Sequence, residues 1–107
     1  MNKTGFLYDD RYQLHLTGDY HPERPERLPC VYRGIQEAGL LSSLILIEAS
    51  RADMKWIELV HDGRYIQRFE AACLSGKRMF ESPDNQMCYD TYETALLAVG
   101  GILDVAR

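Results

Sequence analysis

Leu44-Ile45-Leu46-Ile47 is the stretch on which the fold turns. Four consecutive apolar residues, two of them β-branched, are too short a run for a helix. They also lack the alternation of a strand with one wet face. They suit a strand buried on both faces, which is the habit of a parallel sheet. Upstream, Lys3–Tyr8 carries Phe6, Leu7 and Tyr8 and stops at Asp9-Asp10, so it reads as a first short buried strand. Between the two, Leu28, Val31, Tyr32, Ile35 and Ala38 recur at helical spacing, and Gly39 follows as a left-handed C′ residue. Strand, helix, strand predicts the α/β class with a right-handed crossover between parallel strands.

Downstream, Ser50-x-x-Asp53 resembles a capping box opening a short helix with Met54, Ile57 and Val60 inward. Asp62 is placed to cap a further helix bearing Tyr65, Ile66, Phe69 and Cys73, ended by Ser75-Gly76. Residues 77–89 read as irregular. Asp90-x-x-Glu93 resembles another capping box, before a helix burying Tyr92, Leu96, Val99 and Leu103. Two strands make a poor parallel sheet, and the sequence reaches Arg107 on a helix where a further strand is expected. The organisation therefore predicts an incomplete domain, against the alternative of a small α+β protein.

The 107 residues amount to a single, partial domain over 1–107. At 46% hydrophobic and 26% charged residues, the composition is that of a folded chain and not a disordered one. Twelve Lys+Arg against 16 Asp+Glu give a net charge of −4, which argues against direct binding of nucleic acid or an anionic membrane. No apolar run approaches the about 20 residues of a membrane span, and Met1–Gly5 lacks the apolar stretch of a signal peptide. Cys30, Cys73 and Cys88, odd in number and irregularly spaced, read as reduced thiols of a cytoplasmic protein. Cys73 and Cys88 read as packing groups.

The chemistry-bearing residues are sparse. His15 and His21 share the polar loop 9–26 with Asp9, Asp10 and Asp19, a set that permits a metal site but matches no standard ligand spacing. A small metal-binding protein using His15, His21 and Asp19 is thus one alternative reading. His61, in Leu59-Val60-His61-Asp62, has no neighbouring nucleophile and suits a structural hydrogen-bonding role. Gly100-Gly101 inside the last helix each disfavour the helix by about 1 kcal/mol relative to Ala. The pair therefore predicts close approach of another backbone.

The most distinctive string is His21-Pro22-Glu23-Arg24-Pro25-Glu26-Arg27-Leu28. Two prolines stiffen an extended segment, and Arg27 enters the first helix just before its apolar stripe. HPERPERL resembles the N-terminal signature of the zinc-dependent deacetylase superfamily, which includes histone deacetylases, acetoin-utilisation proteins and acetylpolyamine amidohydrolases. Three further stretches are similar in the same order: Thr4–Asp9, Leu59–Ile66 with its Val60-His61 and Tyr65-Ile66, and Asp84 followed by Tyr92–Gly101. The resemblance implies the N-terminal part of an arginase/deacetylase-like α/β fold, a parallel sheet between helix layers. It also implies hydrolysis of an acetyl-amide, with zinc polarising the carbonyl.

The family's zinc ligands, tandem histidines and transition-state tyrosine match no position of this sequence, so no residue here is assigned as catalytic or as a metal ligand. Zinc is expected in the complete family enzyme and not in this chain alone. Two positions carry over. Asp84 matches the rim aspartate that accepts hydrogen bonds from the substrate backbone amide, and Arg27 matches an arginine lining the internal channel. The loop from Asp9 to Arg24 would border the substrate entrance. The expected partners are the C-terminal remainder of the enzyme or a second copy of the chain. The complete enzyme is expected to take an acetylated small molecule or acetyl-lysine. A non-catalytic binding or regulatory module derived from a deacetylase is the remaining alternative.

Overall fold

The computed structural model describes residues 3–107. Strands β1 (Thr4–Leu7) and β2 (Leu44–Ile47) pair in parallel, with Thr4 opposite Leu44 and Leu7 opposite Ile47. Helix α1 (Arg27–Glu37) makes the crossover. There follow α2 (Met54–Glu58), α3 (Gly63–Leu74), the antiparallel strands β3 (Met79–Phe80) and β4 (Ser82–Gln86), and α4 (Thr91–Ala106). The α/β reading and the parallel pairing of the LILI strand are as the sequence predicts.

Helix ends follow the local chemistry. After α1, Gly39 takes φ 73°, its N–H donates to the Gln36 carbonyl, and the Leu40 N–H donates to Ile35. Gly76 (φ 81°) closes α3 in the same way, with Gly76 bonded to Cys73 and Lys77 to Ala72. Both are Schellman closures, in which glycine enters the left-handed region without a Cβ penalty. At the helix starts, Asp53 caps α2 through the Lys55 N–H and Asp62 caps α3 through the Arg64 N–H. Two expected capping boxes do not form. Ser50 is too far upstream of α2 and instead bonds the Asp104 carboxylate, and Asp90 makes no side-chain capping bond to α4. Within residues 77–89, expected to be irregular, Met79–Phe80 and Ser82–Gln86 pair as a bulged hairpin.

A helix packs against each face of β1. Tyr32 of α1 packs against Phe6 and Tyr8, with the Tyr8 and Tyr32 ring centroids 4.7 Å apart. The alternate residues Gly5 and Leu7 face α4: a Cβ added at Gly5 would lie 3.2 Å from Val105, and one at Gly101 would lie 2.8 Å from Leu7. The Tyr12 hydroxyl, just beyond β1, donates to the Leu97 carbonyl at 2.9 Å. Passing from Leu97 through Gly101 to Val105 therefore passes from the end of β1 back to its start, so α4 runs antiparallel to β1.

The buried core lies to one side of this sheet, among Ile66, Cys73, Phe80, Met87, Tyr92 and Leu96, with Met54, Ile57, Tyr65 and Phe69 packed around it. Phe69 and Phe80 meet edge to face at 5.2 Å, the arrangement that ring quadrupoles favour. β2 is not buried on both faces as its composition predicts: Ile45 and Leu46 are 48% and 55% exposed. Val60 is exposed instead of turned inward. The radius of gyration, 15.5 Å, exceeds the about 13 Å of a compact domain of this length, and the shape is a slab of 45 × 34 × 17 Å.

The close approach predicted for Gly100-Gly101 is present. A Cβ at Gly100 would fall on the Ser50 carbonyl oxygen and within 2.8 Å of the Ala52 nitrogen, and the Ala52 N–H donates to the Leu96 carbonyl of α4 at 3.1 Å. Gly100→Ala should lower stability by about 1–3 kcal/mol, although alanine is the better helix former by about 1 kcal/mol. Urea denaturation of the two proteins checks this; an unchanged or raised midpoint would mean that the segment moves aside freely.

Candidate functional site

Ligands of open α/β sheets bind beyond the carboxyl ends of the strands. Here that end carries the first loop. At its root, Asp9 is 7% exposed and its carboxylate is saturated. It accepts from the Arg11 guanidinium at 2.9 and 2.7 Å, from the Arg11 N–H, and from the Ala49 N–H at 3.0 Å. The same guanidinium donates to the Ala49 carbonyl at 2.6 Å. Asp9 and Arg11 thus clamp the exit of β1 to the exit of β2. The Arg11 guanidinium, with help from the two backbone N–H groups, holds the Asp9 carboxyl well below the usual carboxylate range against the opposing effect of burial.

Farther along, the loop is fastened to the start of α4. The Cys88 N–H donates to Thr91 Oγ1 at 2.8 Å. Thr91 Oγ1 lies 2.8 Å from His15 Nδ1, and His15 Nε2 lies 3.2 Å from a Glu23 carboxylate oxygen. Glu23 accepts only, so Nε2 carries the proton; in neutral His15 the Thr91 hydroxyl then donates to Nδ1. Cys88 Sγ accepts from the Leu16 N–H at 3.2 Å and donates to the Leu14 carbonyl at 3.1 Å. Cys88 is therefore a polar fastener and not a packing group, whereas Cys73 is fully buried beside Met87. Burial pushes the Cys73 thiol up, and all three cysteines are free. Thr17, 4% exposed, closes the loop on itself by donating to the Glu23 carbonyl.

These bonds leave a groove of about 470 Å³ between the first loop and the hairpin segment, bordered by Asp19, Glu26, Lys77, Arg78 and Tyr89. Asp84 stands nearby in the chain, at the apex of the bulge in β4. The bulge is shaped by Asn85 Nδ2 donating to the Phe80 carbonyl at 3.1 Å, by Gln86 bonded to the Pro83 carbonyl, and by Glu81 at φ 63°. Asp84 is exposed. Arg27, in the first turn of α1, is also exposed. Neither side chain lines the groove, though Glu26 beside Arg27 does.

His15, His21 and Asp19 do not form a metal centre. His15 has both ring nitrogens engaged, and His21 Nδ1 accepts from the Glu23 N–H. Among the described residues no three His, Cys, Asp or Glu side chains converge on one point. His61 stacks on Tyr65 at 5.2 Å beside the core, away from the first loop's fastenings. The fastenings themselves escaped the sequence reading because His15 and Thr91 are 76 positions apart; the only local signal was the density of polar residues before HPERPERL.

A family model described as the histone deacetylase domain matches residues 21–107. The chain belongs to the histone deacetylase family. "Probable deacetylase" of Archaeoglobus fulgidus is 28% identical over 97% of this chain, and "Histone deacetylase 5" of Arabidopsis thaliana is 26% identical over 98%. A solved structure entitled "Crystal Structure of HDA15 HD domain" superposes with a TM-score of 0.82 at 22% identity, over 96% of this chain. The chain spans 29% and 17% of the two relatives and 30% of the solved chain. Its fold is accordingly part of the deacetylase fold, as the HPERPERL resemblance implied. Among the described residues no donor set fits the zinc typical of such deacetylases. No helix of the described residues is long and apolar enough to cross a membrane.

The Asp9 clamp has a signed pH dependence. Its folded pKa lies below the unfolded one, so its stabilisation is complete above the unfolded value near about 4 and is lost as pH falls toward the folded value. Asp9→Asn should destabilise by about 1.5–3 kcal/mol at pH 7, the range for hydrogen bonds to charged groups. The variant's stability should also fall less steeply than the parent's between about pH 4 and pH 2. Urea titrations across that window measure both; parallel curves for the two proteins would rule the clamp out as an acid-sensitive element.

Proposed function

We propose that this chain supplies the substrate-rim portion of a zinc-dependent deacetylase, a hydrolase of acetyl-amide bonds, and is inactive by itself. The observation that carries this reading is the family-model match running unbroken through HPERPERL, the Asp84 hairpin and α4. In this reading Asp84 accepts a hydrogen bond from a substrate amide N–H. A carboxylate at the mouth of a cleft suits that task, because charge-assisted hydrogen bonds are short and strong. The His15–Thr91–Cys88 fastenings fix the first loop opposite the hairpin, so that both sides of the rim are held before substrate arrives. Arg27 lines an internal channel once further polypeptide covers α1.

The zinc donors and the groups that activate water come from the remainder of the domain. That remainder is the principal partner. The substrate is an acetylated small molecule or an acetyl-lysine side chain, and the location is cytoplasmic. The net charge of −4 supports a role without direct nucleic-acid contact.

The test is an assay on an acetyl-lysine peptide and on an acetylpolyamine. The chain alone should show no hydrolysis. Joined with the rest of a deacetylase domain, it should hydrolyse at least one of them. In that assembly Asp84→Ala should lower kcat/KM by about 10- to 100-fold, the equivalent of one charge-assisted hydrogen bond. A complete assembly that binds the acetylated ligand without hydrolysing it would favour a non-catalytic binding module.

A further inference from the structure

We propose that the groove between the first loop and the hairpin segment reads a carboxylate on the substrate, close to the amide N–H that Asp84 accepts, and that Lys77 and Arg78 are the residues that read it. This rests on the reading of the chain as the rim of a deacetylase domain. It names the substrate class: acetyl-lysine with an anionic group beside it, in preference to a cationic acetylpolyamine.

The walls of the groove are held in place by backbone and loop contacts. Met87 and Thr17 are its buried lining. On the first-loop side, Thr17 donates to the Glu23 carbonyl, and the Leu16 N–H donates to Cys88 Sγ. On the hairpin side, the Lys77 N–H donates to the Ala72 carbonyl in the closure of α3, and the Arg78 carbonyl accepts from the Met87 N–H at 2.9 Å. Lys77 and Arg78 are thus consecutive cations on a fixed backbone, with exposed side chains. A backbone ordered in advance removes part of the cost of binding.

The charge balance decides what the groove attracts. Its charged residues are Asp19, Glu26, Lys77 and Arg78. Glu26 is already paired with Arg24 at 2.9 Å. Among the described residues Asp19, Lys77 and Arg78 make no ion pair. Two free cations therefore stand against one free carboxylate, in a chain whose net charge is −4. A local excess of positive charge draws an anion and disfavours a polyamine. Arg78 can take both oxygens of a carboxylate, and Lys77 adds a point charge beside it.

The groove is also close enough to Asp84 to serve the same substrate. Gln86 lines it, and Asp84 is two positions earlier in the same strand. Two residues span at most about 7 Å of chain. A substrate amide held by Asp84 then brings its neighbouring group to the groove, whether that group is the next residue of an extended peptide or the carboxylate of a small acetylated amino acid. The two sources share one chemistry, a carboxylate adjoining an amide. Exposed Tyr89 borders the cations and offers a ring against the aliphatic part of either.

The experiment is a titration of the isotope-labelled full chain, followed through its amide signals, with two sets of probes. One set is an acetyl-lysine peptide with glutamate on both sides and the same peptide with lysine on both sides. The other is Nα,Nε-diacetyl-lysine with its carboxylate free, the same compound amidated, and monoacetylputrescine. In at least one set the anionic probe should bind about 3- to 10-fold more tightly than its counterparts, the range of one or two exposed ion pairs. The shifts should fall at Lys77, Arg78 and Tyr89 and shrink as salt is added. A preference in the peptide set alone assigns the carboxylate to an acidic side chain, and one in the lysine set alone to the substrate's own terminal carboxylate. The exposed double substitution Lys77→Gln with Arg78→Gln should abolish the preference, and Asp19→Asn should widen it. Equal affinities in both sets, tighter binding of the cationic probes, a preference intact in the double variant, or no binding at millimolar concentration would each overturn the proposal. Binding with the stated preference but no hydrolysis by the chain joined to the rest of a deacetylase domain would leave this inference standing and count against the proposed activity. Hydrolysis that favours the cationic substrates would do the reverse.

Discussion

The seating of α4 across the strand ends is the contact on which the rest of the structure depends. Two adjacent glycines in mid-helix are locally unfavourable, yet at Gly100 and Gly101 any Cβ would collide with Ser50, Ala52, Leu7 or Tyr12. Removing those two side chains lets the backbone of the segment after β2 lie directly on the helix, close enough for the Ala52 N–H to reach the Leu96 carbonyl. The Ser50 bonds to Asp104 and the Tyr12 bond to Leu97 then follow along the same helix. Once α4 is placed, its first turn sits where Thr91 meets His15, and the first loop is held against the hairpin.

This order of dependence explains why so small a core suffices to position the first loop. Among the described residues only the Cys73 side chain is fully buried, and no residue of α1 is buried. The first loop is organised instead by directional polar contacts at its root, middle and tip: Asp9 with Arg11 and Ala49, His15 with Thr91 and Glu23, Thr17 with Glu23. Such contacts specify geometry more than they add stability, because each replaces hydrogen bonds to water. The half-exposed Ile45 and Leu46 are the complement of that picture, apolar residues of a parallel sheet without a second layer over them.

Much of this was legible in the residues. LILI declared a parallel strand, Gly39 and Gly76 declared helix ends, and Gly100-Gly101 declared a close approach, because each pattern has one economical physical cause. HPERPERL pointed to the deacetylase family that the family model matches. What local patterns missed was set by tertiary contact. Ser50 matched a capping box but found Asp104 at a distance of 54 positions, and Cys88 looked apolar but found backbone groups of residues 14 and 16. The hairpin around Asp84 was hidden by Pro83 and by polar residues that signal a loop; its bulge keeps those residues outside the ladder.

The central claim, that α4 is seated on the β1 end and the segment after β2 through its glycine pair, is tested most directly by a nuclear Overhauser spectrum of the isotope-labelled chain. The account predicts contacts from the Gly100 Hα protons to Ser50 and Ala52 and from the Gly101 Hα protons to the Leu7 methyls, all within one folded species. Absence of both sets, with the helical signals of residues 91–106 retained, would show a helix that forms but does not dock, and would contradict it.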